Sequence, residues 1–214
     1  MDAYRESCVK YEKICYIVGA GEDYGMNFSL RSGDFLIAAD GGFSLLSKIG
    51  MKTDLVVGDF DSLGGEIPEN ARVLPAEKDV TDVFEAVRLG MERGFKIFVI
   101  YGGTGGRADH TFANIQILAH IAKRGMRGFL VDAESVFTVI ENDEINFDED
   151  FFGFVSVFSL TDFSEGVTER GLKYSLENAV LENTFPLGVS NEFTGERACV
   201  SVEKGQLLVV YPRR

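Results

Sequence analysis

The sequence predicts an α/β unit built on a mostly parallel sheet with helices on both faces, followed by an all-β unit. Two observations carry this. Through residue 132 the apolar runs show no polar alternation and are separated by segments of helical period, the pattern of strands buried on both faces. From residue 133 onward no convincing helix remains, only short strands broken by Gly, Asn, Asp and Glu turns. No long linker marks the change, so the boundary is drawn at 1–132 and 133–214.

In order, ICYIVG (14–19) is a continuous apolar strand and FLIAA (35–39) a second. DGGFSLLSKIG is a short helix stopped by Gly50. DLVVG (54–58) is a third strand, and ARVLP (71–75) a short edge strand closed by Pro75. Val80, Val83, Phe84, Val87 and Met91 recur at helical spacing. KIFVIYG (96–102) is a buried strand, HTFANIQILAHIAKRG (110–125) an amphipathic helix, and GFLVDAE (128–134) one more strand. Beyond them, FTVIEN, FGFVSVFSL, GVSNEF, ACVSVEKG and QLLVVY are strands. ACVSV-EKG-QLLVVY is expected to form a hairpin on a loop containing Gly205.

The chain has 214 residues, 45% of them hydrophobic, and a net charge of -13. Such an excess of acid argues against a nucleic-acid binder or docking to anionic membranes, both of which need a basic face. A polyphosphate ligand would need a cation to mediate. The three cysteines, Cys8, Cys15 and Cys199, form no CxxC pair, so neither a disulfide framework nor a zinc pattern is expected. The polar amino terminus and the lack of a membrane-length apolar run point to the cytoplasm.

Ligands of open parallel sheets sit outside the carboxyl ends of the strands. Four segments converge on that rim: Asp40 in ADGG, Asp59 and Asp61 in GDFDS, Glu77, Asp79 and Asp82 in EKDVTD, and the loop GGTGGRADH. Each has a plainer reading alone. DGG makes a capped turn, DFDS an Asx-turn, and Asp79 or Thr81 a helix cap. Together they are a carboxylate cluster beside a glycine loop and Arg107. Like charges as close as Asp59 and Asp61 call for a cation, and Mg²⁺ takes oxygen ligands from carboxylates and substrate phosphates alike. Glycines let backbone amides approach a phosphate, and Arg107 adds a fork for its oxygens. GAGEDYG (19–25) and GTGGRA (103–108) imitate a dinucleotide fingerprint, but a nicotinamide site leaves DFDS and EKDVTD without a role. His120 is a surface or packing residue; His110 stands next to the glycine loop and within reach of a phosphate.

In their order and spacing, DGG, GDFDS, EKDVTD and GGTGGRADHTFAN resemble the thiamine pyrophosphokinase (thiamine diphosphokinase) family, and GLKYSLEN (171–178) and GVSNEF (188–193) resemble its second-domain motifs. The resemblance implies a nucleotide-binding catalytic domain followed by a thiamine-binding β-sandwich. It implies pyrophosphoryl transfer from ATP to thiamine, with AMP released and Mg²⁺ as cofactor. It further implies a homodimer with thiamine held between subunits. On this chain it gives Asp40, Asp59, Asp61 and Asp82 to the metal and phosphate site, and Thr81, Arg107 and Asp109 to nucleotide contacts. Ser190 and Asn191 fall in the thiamine segment. Tyr174 stands where some members carry Trp, a residue this chain lacks. The rivals are a diphosphokinase for another alcohol such as a hydroxymethylpterin, an NAD(P)-dependent oxidoreductase, and a non-catalytic sensor of the same ligands. Asp61→Asn is expected to abolish turnover with the circular dichroism spectrum unchanged; an active variant would remove Asp61 from this role.

Overall fold

The computed structural model describes residues 13–26, 28–59, 70–73 and 79–214, and the chain divides into two compact units. Among the described residues, the first comprises 13–117 together with 130–133; the second comprises 118–129 and 134–214. Asp61 and Glu77 lie outside the described residues.

The first unit contains strands β1 (Ile14–Val18), β2 (Phe35–Ala39), β3 (Leu55–Gly58), β4 (Ala71–Val73) and β5 (Ile97–Tyr101), and the end of β6 (Arg127–Val131). Its helices are α1 (Gly42–Lys48), α2 (Asp82–Glu92) and most of α3 (Ala108–Ala122). The strand order is β6-β5-β1-β2-β3-β4, and the pairs β5–β1, β1–β2, β2–β3 and β3–β4 are all parallel. Both faces are covered, which is why β1 and β5 are buried along their whole length. Cys15 and Phe98 are register partners on the face under α2, where a Cβ on Gly90 would meet the Phe98 ring at 2.7 Å and Cys15 Sγ at 2.9 Å. Tyr16 and Tyr101 point the other way. Phe28 stacks on Tyr16 with centroids 4.4 Å apart and leans on Tyr101 at 5.2 Å. Burial pushes the Cys15 thiol far up, as expected of an inert core cysteine. The helix α2 begins at Thr81, whose Oγ1 accepts from the Phe84 N–H at 3.2 Å; of the two candidate caps, Thr81 is the one used.

The second unit is a pair of antiparallel sheets. One has the order β12-β9-β14-β7, from β7 (Ser135–Glu141), β9 (Phe154–Ser159), β12 (Gly188–Glu192) and β14 (Gln206–Pro212). The other has the order β11-β10-β13-β8, from β8 (Glu144–Phe147), β10 (Phe163–Arg170), β11 (Leu176–Glu182) and β13 (Ala198–Ser201). Phe147 is the hub of the aromatic cluster, with the rings of Phe151, Phe193 and Tyr211 each 5.1 Å away and edge-on.

The expected hairpin of ACVSV and QLLVVY does not form. β13 pairs with β8 and β10, whereas β14 pairs with β7 and β9, so the connection 202–205 carries the chain from one sheet to the other. Each strand buries its apolar side against the opposite sheet, and that burial outweighs the local preference for a tight turn. β8, β10 and β11 were not expected as strands. On β10 the inward positions are Ser164, Gly166, Val167 and Glu169, only one of them a large apolar residue.

Glu169 is 1% exposed, and burial pushes its carboxyl above the ordinary range, with the hydrogen bond from Asn191 pulling partly back. A raised folded-state value stabilises the protein fully only below the unfolded value of about 4.3 and loses that contribution as pH rises through the folded value. Glu169→Gln is therefore expected to gain melting temperature relative to the parent as pH rises above about 4.3. Parallel melting curves across that range would refute the linkage.

Candidate active site

The carboxyl ends of β1, β2, β3 and β5 meet at one rim of the first unit, and main-chain packing shapes it. The turn after β1 lies against the turn after β5: Gly19 N–H donates to Tyr101 O at 2.8 Å, Gly21 N–H to Gly102 O at 2.7 Å, and Glu22 N–H to Thr104 O at 3.0 Å. A Cβ on Gly19 would stand 2.7 Å from Gly102 O, and one on Gly21 would stand 2.5 Å from Thr104 O. Gly19 and Gly21 of GAGEDYG are thus required by this close approach, which gives them a reason other than a dinucleotide.

Beside this crossing lies a cleft of about 350 Å³, lined among others by Gly21, Asp40, Gly102, Gly103, Gly106, Arg107 and His110. Three of the four converging segments reach its neighbourhood within the described residues. Asp40 lines the cleft itself and sits in the left-handed region at φ 51, uncommon for a residue with a side chain. Its N–H donates to Val57 O at 2.7 Å, and its Cα lies 3.3 Å from where a Cβ on Gly58 would stand, so Asp40 abuts the end of β3 next to Asp59. Asp82 opens α2, and its neighbour Val83 lines the cleft.

The glycine loop is anchored from behind. Thr104 Oγ1 donates to Asp132 Oδ1 at 2.6 Å, and Asn114 Nδ2 donates to Gly103 O at 2.8 Å. Neither Thr104 nor Asn114 was singled out in the sequence; both are buried polar residues following a strand or on a helix face, a signal indistinguishable from ordinary packing. Arg107 grips Asp109 through two hydrogen bonds, Nε to Oδ1 at 3.1 Å and Nη2 to Oδ2 at 2.5 Å. The pair is open to solvent, with side chains 73% and 62% exposed. That grip lowers the Asp109 carboxyl and raises the Arg107 guanidinium. The fork thus faces a carboxylate in a geometry that a phosphate oxygen can also occupy.

The second unit brings the other predicted residues together. Asn191 Oδ1 accepts from the N–H of Tyr174 at 3.0 Å and of Glu192 at 2.9 Å, while Nδ2 donates to Tyr174 O at 2.6 Å and to Glu169 Oε2 at 2.7 Å. Ser190 is held by a bond from its N–H to Ser156 Oγ at 3.0 Å and has φ 59. Tyr174 is 62% exposed, with Lys173 Nζ 5.8 Å from its ring centroid.

A glycine-walled cleft at the carboxyl end of a parallel sheet, with an arginine beside it, is the arrangement of an α/β phosphate-binding unit. Residues 28–130 match the family model described as thiamin pyrophosphokinase, catalytic domain, and residues 142–207 match that described as thiamin pyrophosphokinase, vitamin B1 binding domain. A thiamine pyrophosphokinase of Bacillus subtilis is 31% identical over 182 residues, 81% of this chain and 85% of that one. The crystal structure of thiamine pyrophosphokinase from Bacillus subtilis superposes with a TM-score of 0.81 at 27% identity, over 94% of this chain and 99% of that one. A thiamin pyrophosphokinase family protein from Enterococcus faecalis does so with a TM-score of 0.80 at 27% identity, over 95% and 100%. The chain belongs to the thiamine pyrophosphokinase family.

Proposed function

We propose that this enzyme transfers a pyrophosphoryl group from ATP to the hydroxyl of thiamine, giving thiamine diphosphate and AMP, with Mg²⁺ required. The observation that carries the reading is the cleft of Gly102, Gly103, Gly106 and Arg107, which opens beside Asp40 within the span matched by the catalytic-domain model. The span matched by the vitamin B1 binding model contains Tyr174, Ser190 and Asn191.

The donor chemistry fits magnesium. Asp40, Asp59 and Asp82 are hard oxygen donors at the same rim, with Asp61 two residues beyond Asp59 in the sequence. Among the described residues no three acidic, imidazole or thiol side chains form a cage by themselves. Mg²⁺ needs none, since it keeps several waters and is held by one or two carboxylates plus substrate phosphates. Asp40, Asp59, Asp61 and Asp82 would hold it, and bound there it supplies neutralisation of the polyphosphate charge.

The thiamine hydroxyl oxygen attacks the β-phosphorus, the bond from that phosphorus to the α-phosphate oxygen breaks, and AMP leaves. The alcohol proton passes to a rim carboxylate, Asp59 or Asp82. The remaining work of the protein is alignment and charge stabilisation. Arg107 exchanges Asp109 for a phosphate oxygen. Among the described residues the Thr81 oxygen accepts from Phe84 N–H and its hydroxyl proton donates to no partner, so that proton can serve a phosphate oxygen. We further propose a cytoplasmic homodimer in which the β unit of one subunit offers thiamine to the catalytic unit of its partner. Exposed apolar side chains concentrated in the second unit (Phe152, Phe154, Phe163, Phe185, Leu187) support an interface there, and no helix among the described residues is long and apolar enough to cross a membrane.

Incubation with ATP, Mg²⁺ and thiamine is expected to yield AMP and thiamine diphosphate together, followed by phosphorus NMR, and neither product without metal. ADP in place of AMP would overturn the site of attack. Arg107→Ala is expected to raise the KM for ATP about tenfold while leaving the melting temperature unchanged, because the side chain is exposed. An unchanged KM in steady-state assays would take Arg107 out of the phosphate site.

A further inference from the structure

We propose that Glu169 is a positioning residue for thiamine, acting through Asn191, and that Asn191 is the frame of the thiamine segment rather than a contact. The inference rests on the assignment of Tyr174 and Ser190 to thiamine binding made above.

Asn191 is 5% exposed, and its amide has no capacity left. Both N–H bonds donate, to Glu169 and Tyr174 O, and both lone pairs accept, from the N–H groups of Tyr174 and Glu192. The reverse amide orientation would set oxygen against two acceptors and NH₂ against two donors, so the network admits one orientation only. A ligand therefore finds no free hydrogen-bonding site on Asn191.

What that amide holds is exposed. It clamps the backbone of Tyr174 on both its N–H and C=O, leaving the ring turned out to solvent. Anchored this way, Asn191 also fixes the backbone beside Ser190, whose left-handed φ of 59 persists only where neighbours over-determine it. An aromatic face and a hydroxyl are thus presented from one fixed edge.

Glu169 is the group behind the clamp. It lies on β10, in the sheet opposite β12, and its Oε2 receives the Asn191 amide in the core. Its Oε1 is buried with no hydrogen-bond partner, a costly arrangement for a carboxyl group that packing alone would fill with an aliphatic side chain. Bearing that cost makes sense if the acceptor on Asn191 is what the position supplies.

The test compares Glu169→Leu, which fills the space without an acceptor, and Glu169→Gln, which restores one, in the full-length protein. Glu169→Leu is expected to raise the KM for thiamine about tenfold with the KM for ATP within about twofold, and Glu169→Gln to return it to near the parent value. Three results would overturn the inference: an unchanged KM for thiamine in the Leu variant, equal impairment of both variants, or a loss shared by both substrates that tracks the melting temperature. A parent enzyme that forms no thiamine diphosphate would instead sink the proposed reaction. Calorimetric titration of thiamine then decides the inference by itself: a Kd about tenfold weaker in the Leu variant sustains it, and equal affinities or no binding to the parent overturn it.

Discussion

The close approach of two main chains, the turn after β1 and the turn after β5, is the constraint on which the catalytic half depends. Side chains beyond hydrogen at Gly19 or Gly21 would collide with carbonyl oxygens of the neighbouring turn. Because the turns touch, they present backbone to the cleft, and the glycine loop that follows β5 is held in place by Thr104 and Asn114 from behind. A phosphate-sized anion can then be met by main chain, which carries partial charge without a desolvated ionic group. Asp40 joins the same edge only by adopting a left-handed backbone that sets its main chain against β3, a local cost offset by the pairing of its N–H with Val57.

The second unit solves a different problem. Its two sheets share an apolar core of Val155, Val157, Val167, Val200 and the ring cluster around Phe147, yet a polar chain from Glu169 through Asn191 to Tyr174 crosses that core. Every hydrogen-bonding site on the amide is used, which is the condition under which a buried polar network specifies one arrangement. The unsatisfied oxygen of Glu169 is the exception, and it stands at the end of the network most remote from the exposed ring of Tyr174.

The parallel sheet was legible because strands buried on both faces are written as unbroken apolar runs: ICYIV, FLIAA and IFVIY fall within the observed β1, β2 and β5. The helix start at Thr81 was legible as one of two caps, and only the bond to Phe84 N–H chose between them. Of the three carboxylates Asp40, Asp59 and Asp82 expected at one rim, Asp40 lines the cleft. Strand β10 was not legible, because Ser164, Gly166 and Glu169 occupy its inward positions and erase the alternation. β11 exposes most of its length and leaves as little trace. Asn191 was legible as part of a motif, but nothing in GVSNEF discloses that its amide is consumed by Glu169, 22 residues away.

By itself the sequence determined the element types of the first half and the family resemblance, and it supplied the motif residues proposed for a phosphate-handling rim. Those follow from local periodicity and from residue chemistry in short motifs, which the chain carries with it in any conformation. The tertiary structure alone decided which sheet each late strand joins, which glycines are demanded by packing, and which of the motif residues face outward. These depend on groups distant in sequence competing for the same buried space and the same hydrogen-bond partners. The four residues between β13 and β14 show it: the loop could have closed a hairpin, and two opposing apolar faces drew its strands into different sheets instead.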